Sequence, residues 1–183
     1  MKNKSLLSEK IGVVIVTYNR LEKLKKALEA YENQKMKPSV IIVVDNNSTD
    51  GTKDYLKNWQ NESFMCRKNV IFLDNNIGGS GGFSVGVKEA ISEDCEWIWV
   101  ADDDAFPEFD AIEIADNEIK KLEDDHSENV VAICGAVINN GAIDLAHRRM
   151  IKNNFLSIKE ENIDKSMYNK ASFYLNAFSI ISE

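Results

Sequence analysis

Three consecutive carboxylates, Asp102, Asp103 and Asp104, follow the apolar run WIWVA. Their mutual repulsion is costly unless a cation, a hydrogen-bonding ligand or open water stabilises the charges. Carboxylate oxygens suit Mg²⁺ or Mn²⁺. Residues at i and i+2 of an extended segment point the same way, so we expect Asp102 and Asp104 to converge on one metal while Asp103 faces elsewhere. Helix capping near Pro107, together with solvation, is the alternative explanation.

Elements that position these carboxylates are predicted by an alternation of apolar runs and helical patterns. Continuous β-branched runs are typical of strands buried on both faces of a parallel sheet. The predicted strands cover residues 11–17, 40–45, 69–74, 97–102 and 130–137, and predicted helices cover 52–60, 82–92 and 109–125. The first four strands begin about 29 residues apart, the size of a βαβ unit. The predicted fold class is α/β, a mostly parallel Rossmann-like sheet flanked by helices.

A further helix is predicted directly after the first strand. Asn19 is expected to cap it, because a glutamate stands three residues further on. Leu21, Leu24, Leu28 and Tyr31 recur at helical spacing and predict the face that packs on the sheet.

Polar segments follow each of the first four strands: TYNR, DNNSTDGT, DNNIGGSGG and ADDDA. In an open parallel sheet, ligands bind outside the carboxyl ends of the strands, so these segments are expected to face one crevice. Any single segment is typical of an ordinary turn, since Asn, Asp, Ser and Gly are common turn residues. Their occurrence at four strand ends favours a binding site.

The segment NNIGGSGG is expected to form a loop that feeds a helix N-terminus, an arrangement that favours a phosphate group. It is not a Walker A loop, because no Gly-Lys-Ser/Thr follows, and it does not follow the first strand as a dinucleotide fingerprint would. A loop that simply needs positive φ angles is the alternative.

Composition bounds the class of protein. The chain has 183 residues, enough for one domain or one domain plus the beginning of a second. A formal net charge of −8 argues against a nucleic-acid partner. The three cysteines form no CxxC pair, which favours reduced thiols. The apolar stretch near the N-terminus is too short for a signal sequence or a membrane span, so a cytoplasmic or peripheral protein is expected.

The segments VVIVTYNR, VIIVVDNNSTDGT, NNIGGSGGF and WIWVADDDA, in this order, resemble the nucleotide-binding half of the family-2 inverting glycosyltransferases of the GT-A fold. The DDDA form with its preceding glycine-rich segment is most similar to galactofuranosyl- and rhamnosyltransferase-like members. The resemblance covers residues 11–109. It implies divalent-cation-dependent transfer of a sugar, with inversion, from a UDP- or dTDP-linked donor to a glycan or lipid-linked acceptor hydroxyl. Acceptors of this family often belong to cell-envelope polysaccharides, which implies that the protein associates with the inner face of the membrane.

Site residues are carried over from this resemblance at matching positions. The residues expected to bind the sugar nucleotide are Thr17, Tyr18, Arg20, Asp45, Asn76, Gly79, Asp102 and Asp103. Within this set, Asp45 is expected to hydrogen-bond uracil or another pyrimidine base. The resemblance assigns the metal, Mg²⁺ or Mn²⁺, chiefly to Asp104, with Asp102 second.

The resemblance places the general base downstream of the carboxylates, after an apolar segment that residues 174–182 could represent. Because the chain stops at Glu183, we expect a truncated chain whose catalytic base is unassigned. Residues 1–139 are the predicted nucleotide-sugar-binding region, and residues 140–183 the start of an acceptor-side region. Acids in this second region that no motif selects are Asp144, Glu160 and Asp164. His147 is either a further metal ligand or an ordinary surface histidine.

Two other classes of function remain open at this point. A non-catalytic module that binds a sugar nucleotide would explain the missing base. A nucleotidyl- or phosphotransferase could use the same acidic strand end, but it would need a lysine or arginine motif aimed at the transferred phosphate, and no such motif is present.

Overall fold

The computed structural model describes residues 10–124 and, beyond them, residues 132–133, 135, 138–139, 142–143, 151–152, 155–156 and 179–182. The elements are β1 (Ile11–Thr17), α1 (Leu21–Glu32), β2 (Val40–Asp45), α2 (Thr52–Trp59), β3 (Arg67–Phe72), α3 (Gly78–Ser92), β4 (Trp97–Asp102), α4 (Ala111–Asp124), β5 (Ala132–Ile133), β6 (Ile138–Asn139), β7 (Ala142–Ile143), β8 (Ile151–Lys152), β9 (Phe155–Leu156) and β10 (Ser179–Ser182).

A six-stranded sheet organises these elements, in the order β3-β2-β1-β4-β10-β5. The first four of these strands are parallel, while β10 pairs antiparallel with both β4 and β5. Two short hairpins, β6–β7 and β8–β9, lie outside this sheet. The predicted α/β class with a mostly parallel sheet is confirmed. The division of the chain at residue 139 stays a prediction.

Helices cover both faces of the sheet. On one face α1, α2 and α4 pack against alternate residues of β1 and β2, and on the other α3 packs against the intervening residues. Every residue of β1 and β2 is buried, which explains why these strands are continuous apolar runs. On the first face, the indole Nε1–H of Trp99 donates to the hydroxyl of Tyr31 over 2.9 Å.

The start of α3 corrects the expectation of a helix over residues 82–92 preceded by a glycine-rich loop. The helix begins four residues earlier, at Gly78, so GGSGG forms its first turns. A Cβ on Gly82 would lie 2.6 Å from Cγ1 of Val16, and a Cβ on Gly86 would overlap Val14. These two glycines let α3 lie against β1, a packing role that the turn-like composition concealed.

Other boundaries differ by a few residues. The third strand is Arg67–Phe72 instead of 69–74, because its pairing with β2 runs from Val40 to Asp45 and stops there. The helix predicted over 52–60 ends at Trp59, and the one predicted over 109–125 is Ala111–Asp124. Within 130–137 the described strand is Ala132–Ile133 only. None of the helices in the described ranges has the length and apolar character of a bilayer span.

Candidate functional site

The turn after β4 carries the three consecutive carboxylates. β4 ends at Asp102, and the N–H of Ala105 donates to the carbonyl of Asp102 over 3.1 Å, which closes a turn. Because the chain turns here, the alternation of an extended strand does not continue through Asp104. The expectation that Asp103 faces away from its neighbour is therefore wrong: Asp103 and Asp104 both accept hydrogen bonds from Nη1 of Arg20.

Asp103 is the most enclosed of the three carboxylates. Its side chain is buried, and it accepts a hydrogen bond from Oγ1 of Thr17 over 2.8 Å and one from Arg20 over 3.2 Å. Burial raises the pKa of Asp103, while the Thr17 hydrogen bond and the Arg20 charge act against that rise. In turn, the charge of Asp103 raises the pKa of Arg20. Asp103 therefore anchors the guanidinium of Arg20 at the end of β4.

Asp104 is held by two cationic side chains. Its Oδ2 accepts a hydrogen bond from Nη1 of Arg20 over 3.1 Å and another from Nζ of Lys23 over 2.8 Å. The side chain of Lys23 is 53% exposed, and Asp104 is the acid that it contacts. Both cations meet the same carboxylate oxygen, so that oxygen attracts positive charge even without a ligand.

Asp102 is the third carboxylate of this turn, and residues 102–104 are called the acidic turn below. Burial, followed by the charges of Asp104 and Asp103, raises the pKa of Asp102, and Arg20 only partly offsets this. A carboxylate in these surroundings gains when a cation approaches.

The residues of the acidic turn fit a cation that is shared with a bound ligand. Among the described residues, no group of three or more acidic, histidine or cysteine side chains is arranged to hold a metal by itself. Mg²⁺ is usually held by one or two protein carboxylates, with phosphate oxygens and water completing its shell. Asp104 and Asp102 are able to supply that smaller share of ligands.

Asp45 lies at the end of β2, beside the end of β1. Its side chain is completely buried, and Oδ1 accepts a hydrogen bond from the N–H of Ser48 over 3.1 Å. Oδ2 is buried and has no hydrogen-bond partner in the described part of the chain. A buried carboxylate oxygen without a donor is costly, so this atom would gain most from a ligand N–H.

The start of α3 is fastened to the end of β2 by Asn46. Its Oδ1 accepts from the N–H of Ile77 over 2.9 Å, and its Nδ2 donates to the carbonyl of Gly78 over 3.0 Å. Oδ1 of Asn76 accepts from the N–H of Gly78 over 2.9 Å, and Gly78 has a φ of +77°. Gly79 has open space where a Cβ would lie. The exposed N-terminus of a long helix thus stands at the carboxyl end of the sheet, where it favours an anion.

The segment that follows β2 also holds the start of α1. The helix begins after Arg20, with no side-chain cap of its own, so the prediction that Asn19 caps it is wrong. Asn19 adopts a positive φ of 54°, and its Oδ1 accepts instead from the N–H of Thr49 over 2.7 Å. The N–H of Leu21 is satisfied from the other loop, by Oδ2 of Asp50 over 3.0 Å.

The predicted residues thus fall into linked groups at one end of the sheet. Hydrogen bonds join Thr17, Arg20, Asp103 and Asp104 directly, and Ser48 joins Asp45 to the segment that carries Arg20. Tyr18 is 46% exposed beside them. The further acids and the histidine considered from sequence, Asp144, His147, Glu160 and Asp164, lie outside the described residues.

Sequence reasoning missed Lys23, Asn46, Ser48 and Asp50. Three of them belong to DNNSTDGT, where the density of short polar side chains was a signal that turn formation alone seemed to explain. Lys23 was hidden in the exposed basic cluster KLKK, whose members look alike in sequence. Only the fold reveals that this one side chain reaches an aspartate 81 residues away.

A family model described as Glycosyl transferase family 2 matches residues 12–182. The chain therefore belongs to glycosyl transferase family 2, as the resemblance predicted.

Named relatives agree with this assignment. Galactofuranosyltransferase GlfT1 of Mycolicibacterium smegmatis is 34% identical over 100 residues, which cover 55% of this chain and 32% of that protein. The GalNAc(5)-diNAcBac-PP-undecaprenol beta-1,3-glucosyltransferase of Campylobacter jejuni is 34% identical over 97 residues, covering 52% of this chain and 29% of that protein. The matching part thus spans only about a third of the length of these relatives.

Solved structures share the fold. S. aureus TarS 1-349 in complex with UDP superposes with a TM-score of 0.61 at 20% identity, over 77% of this chain and 40% of that one. The mannosyltransferase PcManGT from Pyrobaculum calidifontis, in complex with GDP-Man and Mn²⁺, gives a TM-score of 0.55 at 21% identity, over 70% and 36% respectively. At these identities the likeness concerns the fold.

Proposed function

We propose that this chain is the donor-binding part of an inverting glycosyltransferase, which transfers a sugar from a nucleoside-diphosphate sugar to an acceptor hydroxyl. The observation that carries the proposal is the unpaired, buried Oδ2 of Asp45 at the same end of the sheet as the acidic turn. A buried acceptor in need of an N–H suits a pyrimidine base, whereas an acidic turn suits a phosphate-bound cation.

The remaining predicted residues are assigned to different parts of the nucleotide. In the proposal, Thr17, Tyr18 and Arg20 contact the nucleotide, with Arg20 at its diphosphate end. Asn76 and Gly79, at the start of α3, lie against the sugar-diphosphate portion, where the helix N-terminus favours negative charge. Asp102 and Asp103 of the acidic turn lie towards the ribose of the nucleotide. The fixed contact of Asp103 with Thr17 supports a role in keeping that turn in place.

Asp104, with Asp102 second, would hold Mg²⁺ or Mn²⁺. When bound, such a cation would neutralise charge on the departing nucleoside diphosphate. Lys23 and Arg20 both donate to Oδ2 of Asp104, so a cation bound by this carboxylate would compete with their charges. Arg20 can stay on Asp103, while Lys23 becomes free to turn towards a phosphate. The presence of Mn²⁺ with GDP-Man in the mannosyltransferase of similar fold is consistent with this division.

Transfer with inversion requires one displacement at the anomeric carbon, with a carboxylate base taking the proton of the acceptor hydroxyl. We assign no residue to that base. The names of the relatives, a galactofuranosyltransferase and an undecaprenol-linked glucosyltransferase, support a glycan or lipid-linked acceptor. A place at the inner face of a membrane, in the synthesis of an envelope polysaccharide, is part of the proposal and rests on the family resemblance alone.

Calorimetric titration of UDP, dTDP and GDP, with and without Mn²⁺, tests the proposal. We expect a pyrimidine diphosphate to bind more tightly with Mn²⁺ than without it. Asp104→Ala should abolish that metal-dependent gain. Asp54→Ala is the matched control, because it removes an exposed helical aspartate that pairs with Lys57 of the same helix. Equal binding of UDP with and without Mn²⁺ would contradict the metal assignment, and no binding of any nucleotide would overturn the proposed function.

Turnover separates the transferase from the other two classes of function. Incubation of a full-length protein with a sugar nucleotide should slowly release the nucleoside diphosphate as water replaces the acceptor. Release of pyrophosphate would indicate a nucleotidyltransferase. Tight binding without any product would indicate a non-catalytic binding module.

A further inference from the structure

We propose that Ser48 and Asp50 are positioning residues that fix Arg20 for the diphosphate end of a bound nucleotide. They act through the backbone on either side of Arg20 and touch no ligand themselves. This inference rests on the proposed function and extends it, because it gives a role to the DNNSTDGT segment beyond Asp45.

The backbone of Arg20 is held on both sides by the segment after β2. Before it, the N–H of Asn19 donates to Oγ of Ser48 over 2.9 Å. After it, the N–H of Leu21 donates to Oδ2 of Asp50 over 3.0 Å. The start of the Arg20 side chain is therefore set by two residues that lie about thirty positions further along the chain.

This support matters because the side chain of Arg20 is long and 51% exposed. An arginine that must hold a fixed position loses considerable rotamer freedom, and a fixed backbone leaves fewer positions to sample. Its guanidinium spans Asp103 and Asp104, at 3.2 and 3.1 Å, so Arg20 joins the acidic turn to the start of α1. A fixed backbone at Arg20 favours the side-chain conformation that makes both contacts.

Asp50 is itself held firmly enough to act as such a support. Its Oδ1 accepts from the N–H and from Oγ1 of Thr52, at 3.2 and 2.6 Å, which leaves Oδ2 directed at Leu21. Burial alone would raise the pKa of Asp50, but these hydrogen bonds lower it below its ordinary value. The carboxylate therefore stays charged at the positive end of α1, where it is most stabilising.

Ser48 makes two bonds that can be separated by mutation. Its N–H donates to Oδ1 of Asp45, while its Oγ accepts from the N–H of Asn19. Ser48→Ala removes only the second bond and leaves the backbone bond to Asp45 intact. The substitution should therefore spare recognition of the base and weaken recognition of the diphosphate.

The test compares a pyrimidine nucleoside with its diphosphate by calorimetry in Mn²⁺. Uridine and UDP are used, or thymidine and dTDP if the unmodified protein prefers them. We expect Ser48→Ala to weaken diphosphate binding about fivefold to tenfold, the scale of one lost hydrogen bond, and to change nucleoside binding by less than about twofold. Ser39→Ala is the matched control, because it removes a serine hydroxyl bond to the Ile11 carbonyl at the opposite end of the sheet.

A double-mutant cycle with Arg20→Met shows whether the effect passes through Arg20. In that background, Ser48→Ala should cost no further diphosphate affinity. Equal losses for nucleoside and diphosphate, or a full additive loss in the Arg20→Met background, would show a merely structural role and overturn the inference. Asp50→Asn, at an exposed residue, gives the same comparison should Ser48→Ala not fold. If the unmodified protein bound neither nucleoside nor diphosphate, the proposed function would fail, and the inference with it.

Discussion

The two ends of the parallel sheet differ in how far the hydrogen bonds of their polar groups are satisfied. At the amino end, the groups are satisfied nearby: the carbonyl of Lys10 accepts from the N–H of Glu96 and of Trp97, and Oγ of Ser39 donates to the carbonyl of Ile11. At the carboxyl end, Asp45 keeps an unpaired buried oxygen, and three carboxylates share one turn. The same strands run through both ends, so the difference comes from the connections.

This contrast supports the proposal that the carboxyl end binds the ligand. Positive φ angles occur at both ends, at Asn19 and Asn47 at the carboxyl end and at Asp94 at the amino end. The carboxyl end differs because it places like charges side by side and leaves one buried carboxylate oxygen without a donor in the described part of the chain. Such local costs are common where binding needs them. The contrast therefore predicts that substitutions at the two ends will separate stability from binding.

The largest expected effect is at Asp45. Asp45→Asn keeps an acceptor for Ser48 but turns the unpaired oxygen into a donor, which opposes a ligand N–H. We expect the affinity for uridine and UDP to fall about tenfold to a hundredfold, the range for a hydrogen bond to a charged group. Calorimetric titration measures it, with Ser39→Ala as the variant at the other end. Unchanged affinity in Asp45→Asn would mean that the unpaired oxygen does not contact the base.

A smaller effect, of opposite sign, is expected at Lys23. Its Nζ donates to Oδ2 of Asp104, so its positive charge competes with a cation for that carboxylate. Lys23→Gln should therefore strengthen Mn²⁺ binding in the absence of nucleotide, by about twofold to fivefold, since an exposed ion pair contributes up to about 1 kcal/mol. Electron paramagnetic resonance of free Mn²⁺ reports this directly. Lys25→Gln on the same helix, which breaks a pair with Glu22 and a cation–π contact with Tyr55, is the control. Weaker Mn²⁺ binding in Lys23→Gln than in the control would contradict competition.

The smallest effect is on thermal stability, at Asp102. Its pKa in the folded protein is raised by burial and by Asp104 and Asp103. A group with a raised folded pKa stabilises the fold below its unfolded pKa, and that stabilisation is lost as the pH rises through the folded pKa. Near neutral pH, ionised Asp102 is thus a cost, and Asp102→Asn should raise Tm by about 2–4 °C per kcal/mol relieved.

The pH dependence and a control at the amino end sharpen this measurement. The gain from Asp102→Asn should shrink as the pH is lowered, because the raised pKa of Asp102 lets the native carboxyl take up a proton at a higher pH than an ordinary aspartate does. Glu96→Gln removes an acid that pairs with Lys10, so it should not raise Tm. Equal stabilisation by both substitutions would erase the difference between the two ends.

The apolar strands were predictable because their burial leaves a direct mark on composition. β1, β2 and β4 begin and end at the predicted residues, since each is an uninterrupted apolar run that ends in a polar residue. The start of α3 was not predictable in this way. Gly82 and Gly86 allow α3 to lie close to β1. This closeness depends on two elements that are distant in sequence, whereas local composition carries information about one segment at a time.

The grouping of the candidate site residues at one end of the sheet was more predictable than the hydrogen bonds between them. The grouping of Thr17, Arg20 and Asp103 follows from strand ends meeting at one edge. The hydrogen bonds between loops could not be predicted in this way. A short polar residue looks the same in the sequence whether its side chain bonds within its own turn or to a neighbouring loop. Asn19 shows this: its side chain accepts from Thr49 in the next loop instead of capping the helix beside it.

The partner of β4 on its outer side comes from late in the chain. β10 pairs with it from Ser179↔Val100 to Ser182↔Trp97. A polypeptide cut before residue 179 would present the backbone of β4 as an open edge, ready to recruit strands from other molecules. Any shortened version made for crystallisation should therefore retain residues 179–182, and ribosome-bound chains would finish this sheet only after these residues have emerged.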